Sequence, residues 1–519
     1  MVIHASEEVQ LEESSKKNME IDEVDTFLAT QPGKIERKKT MMCRHNDRQK
    51  CTNCLPIDPY DEEYMKENNI KHLSFHAYVR KLTDLHGKGT QLKKPLENIH
   101  IQVKLDCKNG HLPYPHAICT KCRPPSLTLN RQKFRHVDNI TIENKDIVDR
   151  FLDFWRRSNH QRIGYLIGRY EPFLDVPLGI KAVVTAIYEP PQHSSESAAN
   201  LDDDSHENEV DELCRYLGMK RVGWIFTDLW AQDPTAGTVH CIRNEDSFLL
   251  SAEECITAGA FQNKYKNYTQ YSSDGYFGSK FVTVVATGNK TKQIDFAGYQ
   301  VSDQCTAMVE ADILCPTNHF ELASVREHPL NEKHYITDVQ FTEKNEYGAE
   351  VQRNGKPMPV EFLLVDVPVG MPIEPYMTFN VTRAEKDFPI ENRTFIGQFQ
   401  DVRNVAKYVN EFTNNQFLEL ISNFHFLLFL VTNDIVRFTN DEIKQLCELV
   451  VRKDRVEAAD WAEQNPSWQT FKEVIRAGNE LEHQEAASGP NRVTWACPHC
   501  TFENTGDSTD CAVCNLPRA

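Results

Sequence analysis

The chain has 519 residues and a net charge of −18, with 40% hydrophobic and 10% aromatic residues. This length corresponds to about three or four domains, and the apolar content is sufficient for large cores. The composition argues against a membrane protein, because no run approaches the roughly 18 consecutive apolar residues of a membrane span. The first residues carry neither a basic flank nor a long apolar core, so we expect no secretory signal and an intracellular, soluble protein.

The charge is distributed unevenly along the chain. Residues 37–137 contain 20 Lys and Arg against nine Asp and Glu, whereas the rest of the chain is strongly acidic. A basic module on an acidic body favours docking on an acidic partner, although a merely solvated surface would have the same composition. Residues 1–36 are polar and poor in aromatic residues, which predicts a disordered lead-in.

Ten of the 16 cysteines fall into three tight groups. In a reducing compartment such grouping favours zinc over disulfides. The first two groups share the order Cys, His, Cys, Cys, and this repeat predicts a two-zinc module over residues 37–137. The expected ligands are Cys43, His45, Cys51 and Cys54 at the first site, and Cys107, His111, Cys119 and Cys122 at the second.

His116 competes with His111 for the fourth position at the second site. Zinc accepts either imidazole, so residue type does not decide between them. We prefer His111, because a turn at Asn109-Gly110 can bring it back toward Cys107.

The third group of cysteines lies at the end of the chain, in residues 494–519, after a predicted flexible linker over residues 483–493. Two Cys-x2-Cys pairs with ten residues between them predict a four-cysteine zinc ribbon, in which the metal replaces a core. The expected ligands of this third structural zinc are Cys497, Cys500, Cys511 and Cys514.

The middle of the chain predicts a compact α/β unit with a mixed sheet over residues 138–315. Its central feature is Arg221–Trp230, which reads as a buried strand with Phe226 and Asp228 as outward-pointing candidates at its end. Ser251 and Glu254 have the spacing of a capping box that begins a helix. Further strands are predicted, among them 163–168, 180–188, 281–286 and 306–314.

Residues 316–482 predict an α-rich C-terminal domain. Alternating stretches such as Glu361–Pro368 come first, and helical patterns follow over residues 401–433 and 439–475. The whole chain is therefore expected to be a multidomain α+β protein.

The middle unit resembles an MPN (JAMM-type) domain, on the basis of Gly164–Gly168, Val222-Gly-Trp224 and Ser251. Active members are zinc isopeptidases that cut ubiquitin chains, with a Glu as general base and two His and one Asp as zinc ligands. The resemblance places Gln161, Phe226, Asp228 and Glu254 at those four positions, beside a retained Ser251. Gln161 cannot accept a proton from water and Phe226 has no lone pair, which implies an inactive MPN domain and no enzyme activity.

From about residue 40 onward the chain resembles the nuclear protein localisation four family. The resemblance is carried by Cys-x-His-x5-Cys-x2-Cys and by residues 71–76, 177–184, 187–192 and 272–281. It implies a ubiquitin-binding adaptor that, with the ubiquitin fusion degradation subunit, recruits polyubiquitylated proteins to the hexameric valosin-containing-protein ATPase. Members usually begin with a UBX-type domain, and no β-grasp pattern precedes Cys43.

The same resemblance implies substrate unfolding and proteasomal degradation, including ER-associated degradation. It also implies residence in the cytoplasm and nucleus, with a peripheral position at the ER membrane through partners. Neither nucleic-acid binding nor membrane insertion is expected.

The tail resembles a RanBP2-type (NZF) finger. Thr501-Phe502 together with Val513 matches the ubiquitin-binding version, in which an apolar patch and a hydroxyl meet a shallow hydrophobic surface. The alternative is that Phe502 packs inside its own finger. There are two alternative functions, an active zinc-dependent deubiquitinating isopeptidase and an RNA-binding zinc-finger protein. The second would need a basic aromatic platform, and the only Lys or Arg residues in or next to this tail are Arg492 and Arg518.

Overall fold

The computed structural model describes residues 20–39, 43–46, 51–85, 94–105, 107–344, 347–379, 387–487, 494–496 and 503–505. The chain divides into two compact units, Met1–Phe379 and Asn380–Ala519. Among the described residues, none of the helices combines the length and the apolar character needed to cross a membrane.

Short elements make up the N-terminal part of the first unit, which carries both predicted zinc sites. They are α1 (Glu23–Thr30), α2 (Glu62–Glu67), β1 (Leu73–Ser74), α3 (Phe75–Leu85), β2 (Leu127–Leu129) and β3 (Phe134–Arg135).

Helix α1 lies inside the segment 1–36 that was predicted to be disordered. Its Val24 and Leu28 are buried against Leu178 and Ile180, which lie far along the chain. The carboxylate of Asp25, also buried, accepts a hydrogen bond of 2.9 Å from Nε2 of His76. Contacts with residues far along the chain therefore stabilise this helix, and no periodic pattern in its own sequence indicates it.

The rest of the first unit is built on a large mixed sheet with helices packed around it. The strands of this part of the chain, only some of which belong to the large sheet, are β4 (Asn139–Ile142), β5 (Ile163–Phe173), β6 (Gly179–Tyr188), β7 (Gln192–Ser194), β8 (Ala199–Leu201), β9 (Lys220–Asp228), β10 (Ala231–Asp233), β11 (Thr238–Val239), β12 (Val282–Gly288), β13 (Ile294–Val301), β14 (Leu314–Pro316), β15 (Leu322–Val325), β16 (Val339–Lys344), β17 (Glu350–Asn354), β18 (Met358–Pro359), β19 (Leu364–Val367) and β20 (Val369–Gly370). Its helices are α4 (Lys145–Ser158), α5 (Glu207–Tyr216), α6 (Ala252–Lys264) and α7 (Asp303–Glu310), with a 3-10 turn at Val360–Phe362.

Eight strands form the sheet in the order β19-β13-β12-β9-β5-β6-β4-β20. The two edge strands β19 and β20 are consecutive in the chain, separated only by Pro368. At that point the backbone N–H of Ile140 in β4 donates to the carbonyl of Pro368 at 2.8 Å. One continuous segment thus pairs with β13 and with β4, and the sheet closes on itself, which removes its free edges.

This closing segment lies within residues 316–482, which were predicted to form the C-terminal domain. The structure instead ends the first unit at Phe379. Val365 and Val367 are fully buried, because they complete the core of a sheet whose other strands lie far earlier in the chain.

The predicted strands at 163–168, 180–188 and 281–286 coincide with β5, β6 and β12. The strand predicted at 306–314 is wrong, since α7 occupies most of that segment. Ser302 begins this helix by accepting a hydrogen bond of 3.2 Å from the backbone N–H of Cys305. The buried Cys305 and Met308 are three residues apart, a helical rather than an alternating spacing.

The second unit confirms a helical C-terminal region. Its elements are α8 (Val402–Asn410), α9 (Phe417–Ile421), α10 (Phe424–Thr432), α11 (Asn440–Arg452), α12 (Arg455–Gln464) and α13 (Pro466–Ala487), with 3-10 turns at Thr394–Ile396 and Asn414–Gln416 and the strands β21 (Thr494–Ala496) and β22 (Glu503–Thr505). The buried rings of Phe388, Phe426 and Phe471 lie in its core. Helix α13 continues to Ala487, so the first residues of the predicted linker 483–493 are helical.

Closure of the sheet predicts that Gly298→Ala will destabilise the protein. A Cβ at Gly298 would lie 2.4 Å from the carbonyl oxygen of Val367 and 2.7 Å from Cγ2 of Val369, so the closing segment would have to move. We expect a loss of about 1–3 kcal/mol in the free energy of unfolding, measured by urea denaturation. Gly370→Ala is the control, because no atom lies within 4 Å of its Cβ position. Equal effects of the two substitutions would contradict the closure.

Candidate functional site

The structure brings two sets of predicted metal ligands together. They are Cys43, His45, Cys51 and Cys54 (site 1) and Cys107, His111, Cys119 and Cys122 (site 2), and in each set the four ligand atoms lie within 4.8 Å of one another. At site 2 the Sγ of Cys119 is 3.7 Å from the Sγ atoms of both Cys107 and Cys122. Zinc–sulfur bonds of about 2.3 Å in a tetrahedron place two sulfurs about 3.8 Å apart, so the residues fit a zinc ion.

The Cys-x2-Cys segment of site 2 is shaped by its own backbone. The N–H groups of Cys122 and Arg123 donate to the carbonyl of Cys119 at 3.2 and 2.9 Å, which closes a tight turn. The backbone N–H of Cys119 donates to the Sγ of Cys122 at 3.2 Å. The backbone N–H of Lys121 lowers the pKa of Cys119 to about 6. The turn therefore favours the thiolate, the form that binds a metal.

Each histidine presents Nε2 to its site. At site 2 this atom of His111 lies 3.5 Å from the Sγ of Cys122, while Nδ1 donates to the carbonyl of Leu112 at 2.6 Å. At site 1, Nδ1 of His45 donates to the carbonyl of Asn46 at 2.9 Å. These hydrogen bonds raise the pKa of both imidazoles and hold the proton on Nδ1, so that Nε2 is free to bind a metal.

His116 belongs to neither set of ligand atoms found among the described residues, whereas His111 belongs to site 2. The backbone N–H of His116 donates to the carbonyl of Pro113 at 3.1 Å. Residue type does not distinguish the two imidazoles, but the path of the loop places His111 beside the three cysteines.

The predicted third site and its ubiquitin-contact residues remain predictions. Within that segment, β21 and β22 form an antiparallel pair in which Trp495 lies opposite Asn504. The residues concerned, Cys497, Cys500, Cys511, Cys514, Thr501, Phe502 and Val513, lie outside the described residues.

A buried arginine joins the two carboxylates that stand at the predicted MPN metal positions. The guanidinium of Arg243 contacts both carboxylate oxygens of Glu254 at 2.6 and 2.7 Å, and its Nε donates to Oδ2 of Asp228 at 2.7 Å. The side chain of Arg243 is only 6% exposed. Both carboxylates are therefore already bound to a fixed internal cation.

Phe226 is buried rather than outward-pointing, contrary to the sequence prediction. It is 8% exposed and stacks on Trp224 with a centroid separation of 4.8 Å. The guanidinium carbon of Arg243 lies 5.5 Å from the centre of the Phe226 ring and 4.9 Å from that of Phe248. The aromatic rings thus form the walls of the space that the guanidinium fills.

The side chain of Gln161 is hydrogen-bonded to the residues at the end of β9. Its amide nitrogen donates to the carbonyls of Glu196 and Leu229 at 2.8 and 3.0 Å. Its amide oxygen accepts from Oγ1 of Thr227 at 2.8 Å and from the backbone N–H of Leu229 at 3.2 Å. This buried amide is fully engaged with the surrounding chain and cannot act as a general base.

Ser251 and Glu254 form the predicted capping box at the start of α6. Oγ of Ser251 accepts from the backbone N–H of Glu254 at 3.2 Å, and Glu254 accepts from the backbone N–H of Ser251 at 2.8 Å. Ser251 is thereby committed to the helix start, and Glu254 serves both as a cap and as the partner of Arg243.

The buried ion pairs predict a large effect of Arg243→Met. This change leaves two carboxylates without their cation, and we expect a loss of about 3–5 kcal/mol in the free energy of unfolding, measured by urea denaturation. The matched control is Arg215→Met, which breaks an exposed pair with Glu212 and should change that free energy by less than about 0.5 kcal/mol. A small effect at Arg243 would show that the ion pairs are not needed for stability.

The matching family models and the similar proteins belong to the same family. A model of the NPL4 family matches residues 162–476, and a model of the zinc binding region of the same family matches residues 19–159. The chain is 54% identical to Nuclear protein localization protein 4 homolog 1 of Caenorhabditis elegans, over 96% of this chain and 98% of the relative. It is 45% identical to the Homo sapiens homolog, over 96% of this chain and 83% of the relative. It is 37% identical to Nuclear protein localization protein 4 of Saccharomyces cerevisiae, over 87% of this chain and 79% of the relative. The resemblance seen in the sequence is confirmed, and the chain belongs to the nuclear protein localization protein 4 (NPL4) family.

Proposed function

We propose that this chain is a non-catalytic, ubiquitin-binding adaptor of a hexameric AAA ATPase segregase. With the ubiquitin fusion degradation subunit as its partner, it recruits polyubiquitylated proteins for unfolding by the ATPase and for degradation by the proteasome, including ER-associated degradation. It acts in the cytoplasm and nucleus and reaches the ER membrane through its partners.

The observation that carries the proposal is the Arg243 guanidinium between Asp228 and Glu254. A zinc isopeptidase needs ligands that hold the metal and a base that activates water. On this proposal the closed sheet is an inactive MPN domain, in which Phe226, Gln161 and the Arg243 ion pairs leave neither function available. The surface of that domain then holds ubiquitin without cutting it.

Zinc is the metal proposed for sites 1 and 2. Three thiolates and one imidazole are borderline-soft donors that zinc binds in closed, structural sites with no open coordination position. Such a metal would stabilise the short elements of the N-terminal region, and it would supply no chemistry for a reaction. This basic region is the part of the chain that we propose docks on the ATPase ring.

A third structural zinc is proposed in a NZF-type finger over residues 494–519, held by its four cysteines. Thr501, Phe502 and Val513 would contact ubiquitin. So small a patch is far below the roughly 800 Å² per partner of a standard interface, so binding through it alone is weak. Affinity for polyubiquitin chains would come from simultaneous contacts of the finger and of the larger domains.

The absence of isopeptidase activity is directly testable. The full chain, incubated with diubiquitin and added zinc, should release no ubiquitin, as judged by gel electrophoresis beside an active zinc isopeptidase. Cleavage by this chain that disappears in Glu254→Ala would overturn the adaptor proposal in favour of the enzyme.

Recruitment predicts simultaneous capture of two partners. Immobilised chain should retain polyubiquitin chains and the ATPase hexamer together, and it should retain more ATPase in the presence of the ubiquitin fusion degradation subunit. Added salt should weaken ATPase retention, because the docking region is basic. Retention of neither partner would overturn the proposal, and capture of labelled RNA with a steep salt dependence would favour the nucleic-acid alternative.

The finger predicts a separable ubiquitin contact. Thr501→Ala combined with Phe502→Ala in the full chain should lower its affinity for monoubiquitin, measured by titration, because the apolar contact and the hydroxyl are both lost. Zinc content is the control and should be unchanged, since no ligand is altered. An unchanged affinity at full zinc content would exclude this contact.

A further inference from the structure

The hairpin formed by β16 and β17 pairs with a strand from the N-terminal region. It belongs to a three-stranded sheet with the order β17-β16-β2, and most side chains of β17 are exposed. Its third strand, β2, begins five residues after Cys122 of site 2 and pairs with β16 in parallel, Val339 opposite Leu127. The third strand of the hairpin's sheet therefore follows directly on the loop that carries the site 2 ligands.

Two side chains from the site 2 loop bind the segment that leads into β16. Nε of Arg123, next to Cys122, donates to the hydroxyl of Tyr335 at 2.7 Å, and its guanidinium lies 3.4 Å from the carboxylate of Asp338. The hydroxyl of Tyr114, which lies between His111 and Cys119, donates to the carbonyl of His334 at 3.2 Å.

Backbone hydrogen bonds continue the same contact. The N–H of Leu127 donates to the carbonyl of Asp338 at 2.8 Å, and Oγ1 of the buried Thr337 donates to the carbonyl of Pro125 at 2.8 Å. Four of the five residues in 334–338 are thus hydrogen-bonded to the segment 114–127. On the opposite side, Nε2 of His334 donates to the carbonyl of Ala311 at 2.9 Å, which ties the segment to the end of α7.

The described residues of the site 2 loop bury little apolar surface that could hold this shape without a metal. Its large apolar side chains face solvent: Leu105 is 57% exposed, Leu112 66% and Ile118 39%. A loop that buries so little apolar surface cannot offset the entropy of ordering its backbone. The four converging ligands are what can fix it, since binding a metal supplies folding free energy directly.

We infer that metal occupancy of site 2 controls the order of the β16–β17 hairpin, through Tyr114 and Arg123. A bound metal fixes the loop that carries these two side chains, and they fix residues 334–338 and with them the start of β16. Loss of the metal releases the hairpin while the closed sheet stays folded. This role of the metal rests on the zinc proposed above for site 2 and does not require ubiquitin binding.

Site 1 provides a matched comparison within the same chain. It has the same four ligand types, but its surroundings are different: Arg37 donates from Nε to the carbonyl of Leu55 at 2.8 Å, and Ile35 pairs with Ile57. Both of these contacts stay within residues 34–57. Loss of metal from site 1 should therefore leave the hairpin ordered.

The experiment compares Cys119→Ser with Cys51→Ser in the full chain, using hydrogen exchange of peptides that cover residues 339–354. Zinc content should fall by one equivalent in each variant. In Cys119→Ser we expect exchange of the hairpin amides to rise about tenfold, because the hairpin then opens locally. In Cys51→Ser hairpin exchange should stay at the wild-type rate, and peptides covering β12 should remain protected in both variants.

Arg123→Ala separates the contact from the metal. It should keep full zinc content and still raise hairpin exchange, by less than Cys119→Ser because the Tyr114 and backbone contacts remain. Hairpin exchange unchanged in Cys119→Ser after zinc loss would overturn the inference. An equal rise in Cys51→Ser, or loss of β12 protection in Cys119→Ser, would also overturn it, since either result means general destabilisation.

Discussion

The guanidinium of Arg243 is the charge on which the candidate site depends. It lies between Asp228 at the end of β9 and Glu254 at the start of α6, and it is almost completely buried. A buried cation is tolerated only with its partners in place, so the strand end and the helix start are fixed relative to each other. Both carboxylates are paired with this cation, and the proposed non-catalytic role rests on that pairing.

The two halves of the first unit are stabilised in different ways. The closed sheet buries a continuous apolar core and leaves no free edge, since the segment around Pro368 pairs with both β4 and β13. The region before it has short strands and helices, and its metal-ligand loops expose apolar side chains. A smaller apolar cluster that includes Phe75, Val79 and Leu96 is buried in that region, and Arg123 and Tyr114 contact a segment more than 200 residues later.

Local patterns in the sequence identified much of this fold. The convergence of two sets of Cys and His could be predicted because Cys-x2-Cys fixes two donors in one turn, and buried strands such as β5 and β6 could be predicted from unbroken apolar runs. Helix α7 was missed because its apolar run resembles a strand, although Ser302 ahead of it is a helix-start signal. Arg243 was missed for a different reason: an isolated arginine in a loop carries no period or motif that marks it as buried.

Three features follow from the sequence alone: the two sets of Cys and His that converge in the structure, the capping box at Ser251, and the presence of Gln161 and Phe226 where the proposed MPN resemblance would need a base and a metal ligand. These are properties of residue type and short spacing. Three further features are visible only in the folded chain: the closure of the sheet by the strand after Leu363, the position of His111 rather than His116 beside Cys122, and the position of Arg243 between the carboxylates. Each of these depends on contacts between residues far apart in the chain, which spacing along the chain does not encode.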